Sequence, residues 1–234
     1  MSGVVERVDQ LQWDHIRSQI QDSGWAALPP MIDAGEAEAL IALYDEPDAF
    51  RSTVTMARHG FGRGEYRYFR YPLPSIVSGL RRRLYAKLLP LANEWRAAAG
   101  QPPLPSSHDS YISLCQSSGQ SKPTPLMLRY GPGDYNCLHQ DLYGELVFPM
   151  QVVLLLSERA AFAGGEFVLT EQRPRLQSRP TVIDLEPFGG AVFAVARRPV
   201  RGTRGIYHAN MRHGVSTVTA GRRHTLGIIF HDAS

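Results

Sequence analysis

From residue 126 onward the chain is a train of short runs rich in β-branched, aliphatic and aromatic residues. They are Leu126–Tyr130, Gln151–Leu156, Glu166–Thr170, Thr181–Leu185, Ala191–Val195, His213–Val218 and Thr225–Phe230. Turn formers separate them and no helical pattern intervenes. Strands in that arrangement argue for an antiparallel sandwich or barrel. The first hundred residues have a different texture. Ala34 to Tyr44 carries apolar residues at helical spacing behind Asp33, a suitable N-cap, and Pro47 ends the pattern. Ser75 to Ala99 reads as a long amphipathic helix, kinked or split near Pro90. Residues 51–73 have no helical period and predict an extended or looped segment, while 101–105 and 117–125 are connectors rich in Pro, Ser and Gly. The expectation is an α+β protein. A helical or lid region, residues 1–107, packs on a β-barrel core, residues 108–234.

A chain of 234 residues that is 43% hydrophobic supports one well-packed domain. Its longest aliphatic run, Val152 to Leu156, is far too short to span a bilayer, and the N-terminus has no apolar core of signal-peptide length. The expectation is a cytoplasmic protein with no membrane partner. Cys115 and Cys137 make neither a zinc pattern nor C-x-x-C, and read as free thiols.

The net charge of +3 hides an uneven distribution. Residues 1–50 hold ten acids against Arg7 and Arg17. Residues 51–83 hold eight arginines against Glu65. A second basic stretch carries Arg173, Arg175, Arg179, Arg197, Arg198, Arg201 and Arg204. Such asymmetry either marks a surface for a polyanion or is ordinary solvated charge, because clustering in sequence is not clustering in space.

The chemistry concentrates in LRYGPGDYNCLHQD and, much later, RHGVSTVTAGRRHTLGIIF. His139 and Asp141 are two apart, so on a strand they face the same way. One imidazole and one carboxylate plus a second histidine make a facial triad, a set that suits non-haem Fe(II). His208, His213, His224 and His231 all follow. His213 is the preferred third ligand, because it opens a β-rich run and is followed ten positions later by Arg223. A strand carrying that arginine offers a bidentate fork for a carboxylate. The dicarboxylate 2-oxoglutarate would chelate the metal through its keto-acid end and pair its far carboxylate with Arg223. Arg222 is the one-residue-slip alternative.

These motifs resemble known ones. RYGPG followed by LHQD resembles the AlkB-type nucleic-acid demethylases, and the stretch from His213 to Arg223 resembles the prolyl-hydroxylase branch of the 2-oxoglutarate/Fe(II) oxygenases. GRGEYRYF, YPLP, GQSKPTPLMLRYG, DYNCLHQDLYGE, GGEFVLTEQRPRLQSR, RHGVS and GIIFHDA together resemble a bacterial oxygenase family described as oxidative demethylases of damaged nucleic acid. The resemblance runs from about residue 60 to the end. It implies a double-stranded β-helix (jelly-roll) core, with Fe(II), the co-substrate 2-oxoglutarate and O₂ as the reacting partners. It also implies iron ligands at His139, Asp141 and His213, a 2-oxoglutarate arginine at Arg223, and a co-substrate contact at Tyr130. The implied substrate is a damaged base in single-stranded or flipped form. Hydroxylation of a protein side chain or amino acid, prolyl-hydroxylase-like, is the alternative. The AlkB pattern carries a second acid just after H-x-D and a later second arginine. This chain has Leu142 and Tyr143 at the first place and Ile229 and Phe230 at the second.

Two short motifs are set aside. GGEF at 164–167 lacks the rest of a cyclic-dinucleotide synthase, and Gly60, Gly62 and Gly64 are too closely spaced for a dinucleotide fingerprint. In residues 58–71, arginines alternate with aromatics among glycines. That composition predicts a basic, aromatic lid or rim beside the metal site. A loop whose arginines pair with the acidic first fifty residues is the alternative.

Overall fold

The computed structural model describes residues 3–203 and 205–234, so Arg204 of the second basic stretch lies outside the described residues. In chain order, α1 (Gly3–Gln10) and α2 (Trp13–Ser23) lead into β1 (Trp25–Leu28) and α3 (Ala34–Leu43). Strands β2 (Phe50–Thr55), β3 (Gly62–Arg63) and β4 (Glu65–Phe69) precede the long α4 (Ser75–Ala98) and then α5 (His108–Ser117). Strands then dominate: β5 (Leu126–Tyr130), β6 (Tyr135–His139), β7 (Met150–Leu155), β8 (Phe162–Gly164), β9 (Phe167–Gln172) and β10 (Arg179–Ile183). The chain closes with β11 (Gly190–Ala194), β12 (Arg197–Gly202), β13 (Gly205–Val215), β14 (Val218–Gly221) and β15 (Arg223–Ile228).

A seven-stranded antiparallel sheet runs β1-β11-β7-β15-β5-β4-β2. A second sheet runs β10-β9-β13-β6-β3, with β12 paired to β13. Period-2 geometry explains why β7 is buried along its whole length. Val152 and Leu154 point out toward α4, joining Leu80, Leu84, Leu88 and Leu91 in the larger core. Val153 and Leu155 point inward with Phe193, where they meet Phe167, Leu169 and Val215 from the second sheet. Two sheets closing over a shared apolar interior make the jelly-roll. Gly190 permits close approach in the large sheet, since a Cβ there would lie 1.9 Å from the Val153 carbonyl oxygen.

The N-terminal region is more than helical. It supplies β1 at one edge of the large sheet and β4 and β2 at the other. WAAL is too short for periodicity to separate strand from helix, and its strand state comes from pairing with β11. Helix α4 is continuous across Pro90 rather than split there. Asp33 caps α3 in a full capping box with Glu36. Buried Arg81 on α4 pairs with Asp232 at 2.8 Å and donates to the Ile229 and His231 carbonyls, tying the C-terminus to the helix layer. Among the described residues, no helix is long and apolar enough to cross a membrane. Cys115 is buried, Cys137 is exposed, and both are free thiols.

Candidate active site

The site forms where β6 and β13 run side by side. His139, the last residue of β6, stands directly opposite His213 in the ladder. Their ring centroids lie 4.2 Å apart. Gly214 allows this pairing, because a Cβ there would fall 2.7 Å from the Asn136 carbonyl oxygen. Asp141 sits in the loop after β6, not on the strand, and bends back between the two rings. Its Oδ1 is 3.5 Å from His139 Nε2 and its Oδ2 is 3.3 Å from His213 Nε2. One ligand-type atom from each of the three residues lies within 4.8 Å of the others, a spacing that fits one metal ion. His208 is exposed and stands five positions away on the same strand, with its side chain on the opposite face. His224 packs edge-on against Tyr44, and His231 accepts from the Phe148 amide, so neither reaches the cluster.

The electrostatics of the cluster follow from the pairing. Burial alone would raise the Asp141 pKa, but hydrogen bonds and charge from His139 and His213 hold it well below the usual carboxylate range. Burial against Phe193 and Phe167, together with the His139 charge, lowers His213. His139 Nδ1 lies 2.8 Å from the Cys137 carbonyl oxygen. Since a carbonyl only accepts, Nδ1 carries a proton there, and Nε2, the nitrogen facing Asp141, is the one that would give its lone pair to a metal on losing its own proton.

Two further side chains hold Asp141: Tyr143, noted in the sequence only as a departure from the AlkB pattern, and Gln151, to which the sequence assigned no role. The Tyr143 hydroxyl donates to Oδ1 at 2.6 Å, and Gln151 Nε2 donates to Oδ2 at 2.8 Å. Tyr143 stands where the AlkB pattern has its second acid.

The three residues line a cavity of about 300 Å³ that also takes in Arg223 and Tyr130. Arg223 opens β15 and faces Tyr130 on β5 directly across the ladder. Both are essentially fully buried. The guanidinium lies 5.7 Å from the Tyr130 ring centre and 5.8 Å from that of Phe162. Among the described residues, Arg223 Nη1 and the Tyr130 hydroxyl have no hydrogen-bond partner. Burial lowers the Arg223 pKa to about 10. A buried cation and a buried hydroxyl, both unpaired, fit the far carboxylate of a dicarboxylate, and the triad fits its metal-chelating end. Arg222, the slip alternative, is exposed. The GGEF segment contributes here after all. A Cβ on Gly165 (φ +68°) would lie 2.9 Å from Arg223 Cδ, so a glycine makes room for the arginine.

The mouth is apolar. Phe61 and Leu138, both lining residues, are 48% and 45% exposed, and Tyr66 lines the wall. The 58–71 segment therefore borders the cavity through its aromatic residues. Three of its arginines are engaged elsewhere. Arg67 pairs with Glu65 at 3.0 Å, donates to the Tyr44 carbonyl and stacks on the Tyr44 ring. Arg63 pairs with Asp134 at 3.4 Å, and Arg70 reaches the Asp48 carbonyl. Beyond that segment, Arg82 and Arg83 pair with Asp109 and Asp9. Arg173 and Arg198 both pair with Glu171.

Comparison with known proteins agrees with this geometry. Residues 64–233 match the model of a family described as oxygenases catalysing oxidative methylation of damaged DNA. An uncharacterised protein of Mycobacterium tuberculosis, found in two strains, is 49% identical over 168 residues, which cover 71% of this chain and 72% of that protein. A 2-oxoglutarate–Fe(II) oxygenase family protein from Burkholderia pseudomallei superposes with a TM-score of 0.53 at 18% identity, covering 96% of this chain and 94% of that one. A Trichoplax adhaerens prolyl hydroxylase, solved with a hypoxia inducible factor peptide, gives 0.56 at 14% identity, covering 96% and 90%.

Proposed function

The chain belongs to the family of oxygenases described as catalysing oxidative methylation of damaged DNA, and we propose that it oxidises a C–H bond using Fe(II) held by His139, Asp141 and His213. The observation that carries this reading is the pairing of a three-ligand cluster with an unpaired buried arginine and tyrosine in one cavity. Arg223 and Tyr130 would hold the far carboxylate of 2-oxoglutarate, so that its keto-acid end points at the metal ligands. The metal with O₂ and 2-oxoglutarate would supply the oxidising power, and the protein supplies placement and a dry wall. Residues 108–234 form the catalytic core on this reading, and residues 1–107 pack on it and lend Phe61 and Tyr66 to the mouth.

The substrate we favour is a methylated or otherwise damaged base. The family description supports it, and so does a mouth of Phe61, Tyr66 and Leu138, since a planar base can stack on aromatic faces once out of the duplex. Hydroxylating a carbon attached to nitrogen would release it as formaldehyde. A second reading, hydroxylation of a peptide side chain or amino acid, is favoured by the internal pairing of most arginines in 51–83, which leaves little free charge for phosphates. Mass spectrometry of methylated oligonucleotides and of peptides after incubation with Fe(II), 2-oxoglutarate and O₂ tests both. Formaldehyde with a demethylated base supports the first reading. A hydroxylated peptide with untouched oligonucleotides replaces it by the second.

A further inference from the structure

The three proposed ligands are not held equally. His139 and His213 sit on paired strands, where the β6–β13 ladder fixes their backbones. Asp141 lies beyond the end of β6, in a stretch without regular structure that runs to β7. No ladder positions it, yet its side chain is buried between the rings. Something else must hold the carboxylate, because a loop carboxylate has many competing orientations.

Two donors reach it from opposite sides. Tyr143, in the same loop, donates to Oδ1 at 2.6 Å, and its ring is wedged edge-on against Tyr68 at 6.1 Å and near His231 at 6.3 Å. Gln151, on the fully buried strand β7, donates to Oδ2 at 2.8 Å and places the same nitrogen 3.1 Å from His213 Nε2. The amide can have only this orientation, since the reverse would set its oxygen against the Asp141 carboxylate. The consequence is a carbonyl oxygen, Gln151 Oε1, that is buried with no partner among the described residues. A side chain serving the fold alone would not strand its own acceptor to cap a carboxylate, because an unpartnered buried carbonyl destabilises the folded state.

We infer that Tyr143 and Gln151 are positioning residues that clamp Asp141 in its metal-binding orientation. The inference rests on the reading of His139, Asp141 and His213 as the metal site. With a metal bound, the His213 Nε2 lone pair is taken, and Gln151 keeps its bond to Asp141 alone. Both clamp residues also line the cavity, so whatever occupies it meets the groups that orient the carboxylate.

The test uses Co(II), whose visible absorption reports on the ligand set, titrated into full-length wild type, Gln151→Met and Tyr143→Phe. Each variant keeps the side-chain volume and removes one donor. Loss of such an outer partner weakens metal affinity by about tenfold to a hundredfold. The inference predicts that range for each variant, with a changed Co(II) spectrum. It also predicts a less than additive double variant, because the two donors share one carboxylate. Melting of metal-free Gln151→Met should be unchanged or higher, since the stranded carbonyl is gone. Affinity and spectrum equal to wild type in both single variants would overturn the clamp. A metal-free Gln151→Met that melts lower while binding Co(II) normally would do the same and make Gln151 a structural residue. Wild type that fails to bind Co(II) would sink the metal-site reading itself, a separate outcome.

Discussion

The cavity has two ends, and they are finished to different degrees. At the Asp141 end both carboxylate oxygens are engaged by protein groups, and the flanking imidazoles sit on paired strands. At the Arg223 end, a guanidinium nitrogen and the Tyr130 hydroxyl are buried with nothing to bind. At the first end the carboxylate itself is fixed, although Gln151 Oε1 and His213 Nδ1 there are buried without partners among the described residues. At the second end the unpaired groups are a cation and a hydroxyl, donors of the kind a carboxylate satisfies. A cation surrounded by Phe162 and Tyr130 is tolerated only where an anion is due.

The largest effect that could break this contrast is Asp141→Ala. It should abolish metal binding by calorimetry and lower turnover of 2-oxoglutarate by about a thousandfold or more. Appreciable metal binding in that variant would place the ion elsewhere. Next comes Arg223→Ala, where losing the charged partner of a buried carboxylate costs about 3 kcal/mol. The apparent requirement for 2-oxoglutarate should rise roughly a hundredfold, with Co(II) affinity nearly intact. Arg222→Ala should change neither. If Arg223→Ala destroyed metal binding, the two ends would not be independent. Tyr130→Phe should be milder, raising the 2-oxoglutarate requirement by about tenfold. Its ligand-free melting temperature should fall little, because that hydroxyl meets no partner in full hydrogen-bond geometry among the described residues.

The smallest effect concerns pH and lies outside both ends. Burial lowers the pKa of His108 and His231 to about 3 and of His224 to about 4, from an ordinary 6.5. The unfolded chain therefore binds protons below pH 6.5 that the folded chain refuses, so their contribution to stability is full above 6.5 and falls as pH drops toward 4 and 3. Denaturant midpoints should decline between pH 6.5 and 4, and His224→Gln should flatten part of that decline. An unchanged slope in His224→Gln would assign the acid sensitivity to His108 and His231 instead.

Much of the core was legible because period-2 alternation and burial act locally. Leu126–Tyr130 is β5 residue for residue, and the Gln151, Ala191 and Thr225 runs fall on β7, β11 and β15 within two residues. The spacing picked out His139, Asp141, His213 and Arg223, the family resemblance added Tyr130, and all five line one cavity. What stayed hidden depends on distant partners. Strand β6 ends on the key histidine, yet YNCLH is half polar and owes its state to β13 and β3. The β12–β13 hairpin begins with RRPVRG, whose charges mask a strand stabilised by its ladder. The strand expected at His213–Val218 begins at Gly205 and ends at Val215 for the same reason. The bonds of Tyr143 and Gln151 to Asp141 became visible only when the loop after β6 met β7. The arginine run looked like a binding surface because sequence shows charges without their counter-ions, and Asp9, Asp109, Asp134 and Asp232 are remote in sequence from the arginines they neutralise.

The room that Gly165 leaves for Arg223 has a consequence for how long the protein survives. An uncompensated interior cation lowers the free energy of opening, so the empty chain spends more time in states a protease can cut. An anion that binds only the closed form reverses this by mass action, adding about 2.7 kcal/mol at a hundred times its dissociation constant. Resistance to limited proteolysis should then track the concentration of free dicarboxylate, and Arg223→Met should resist equally at every concentration. The supply of a small metabolite would thereby set the lifetime of the polypeptide as well as its rate of turnover.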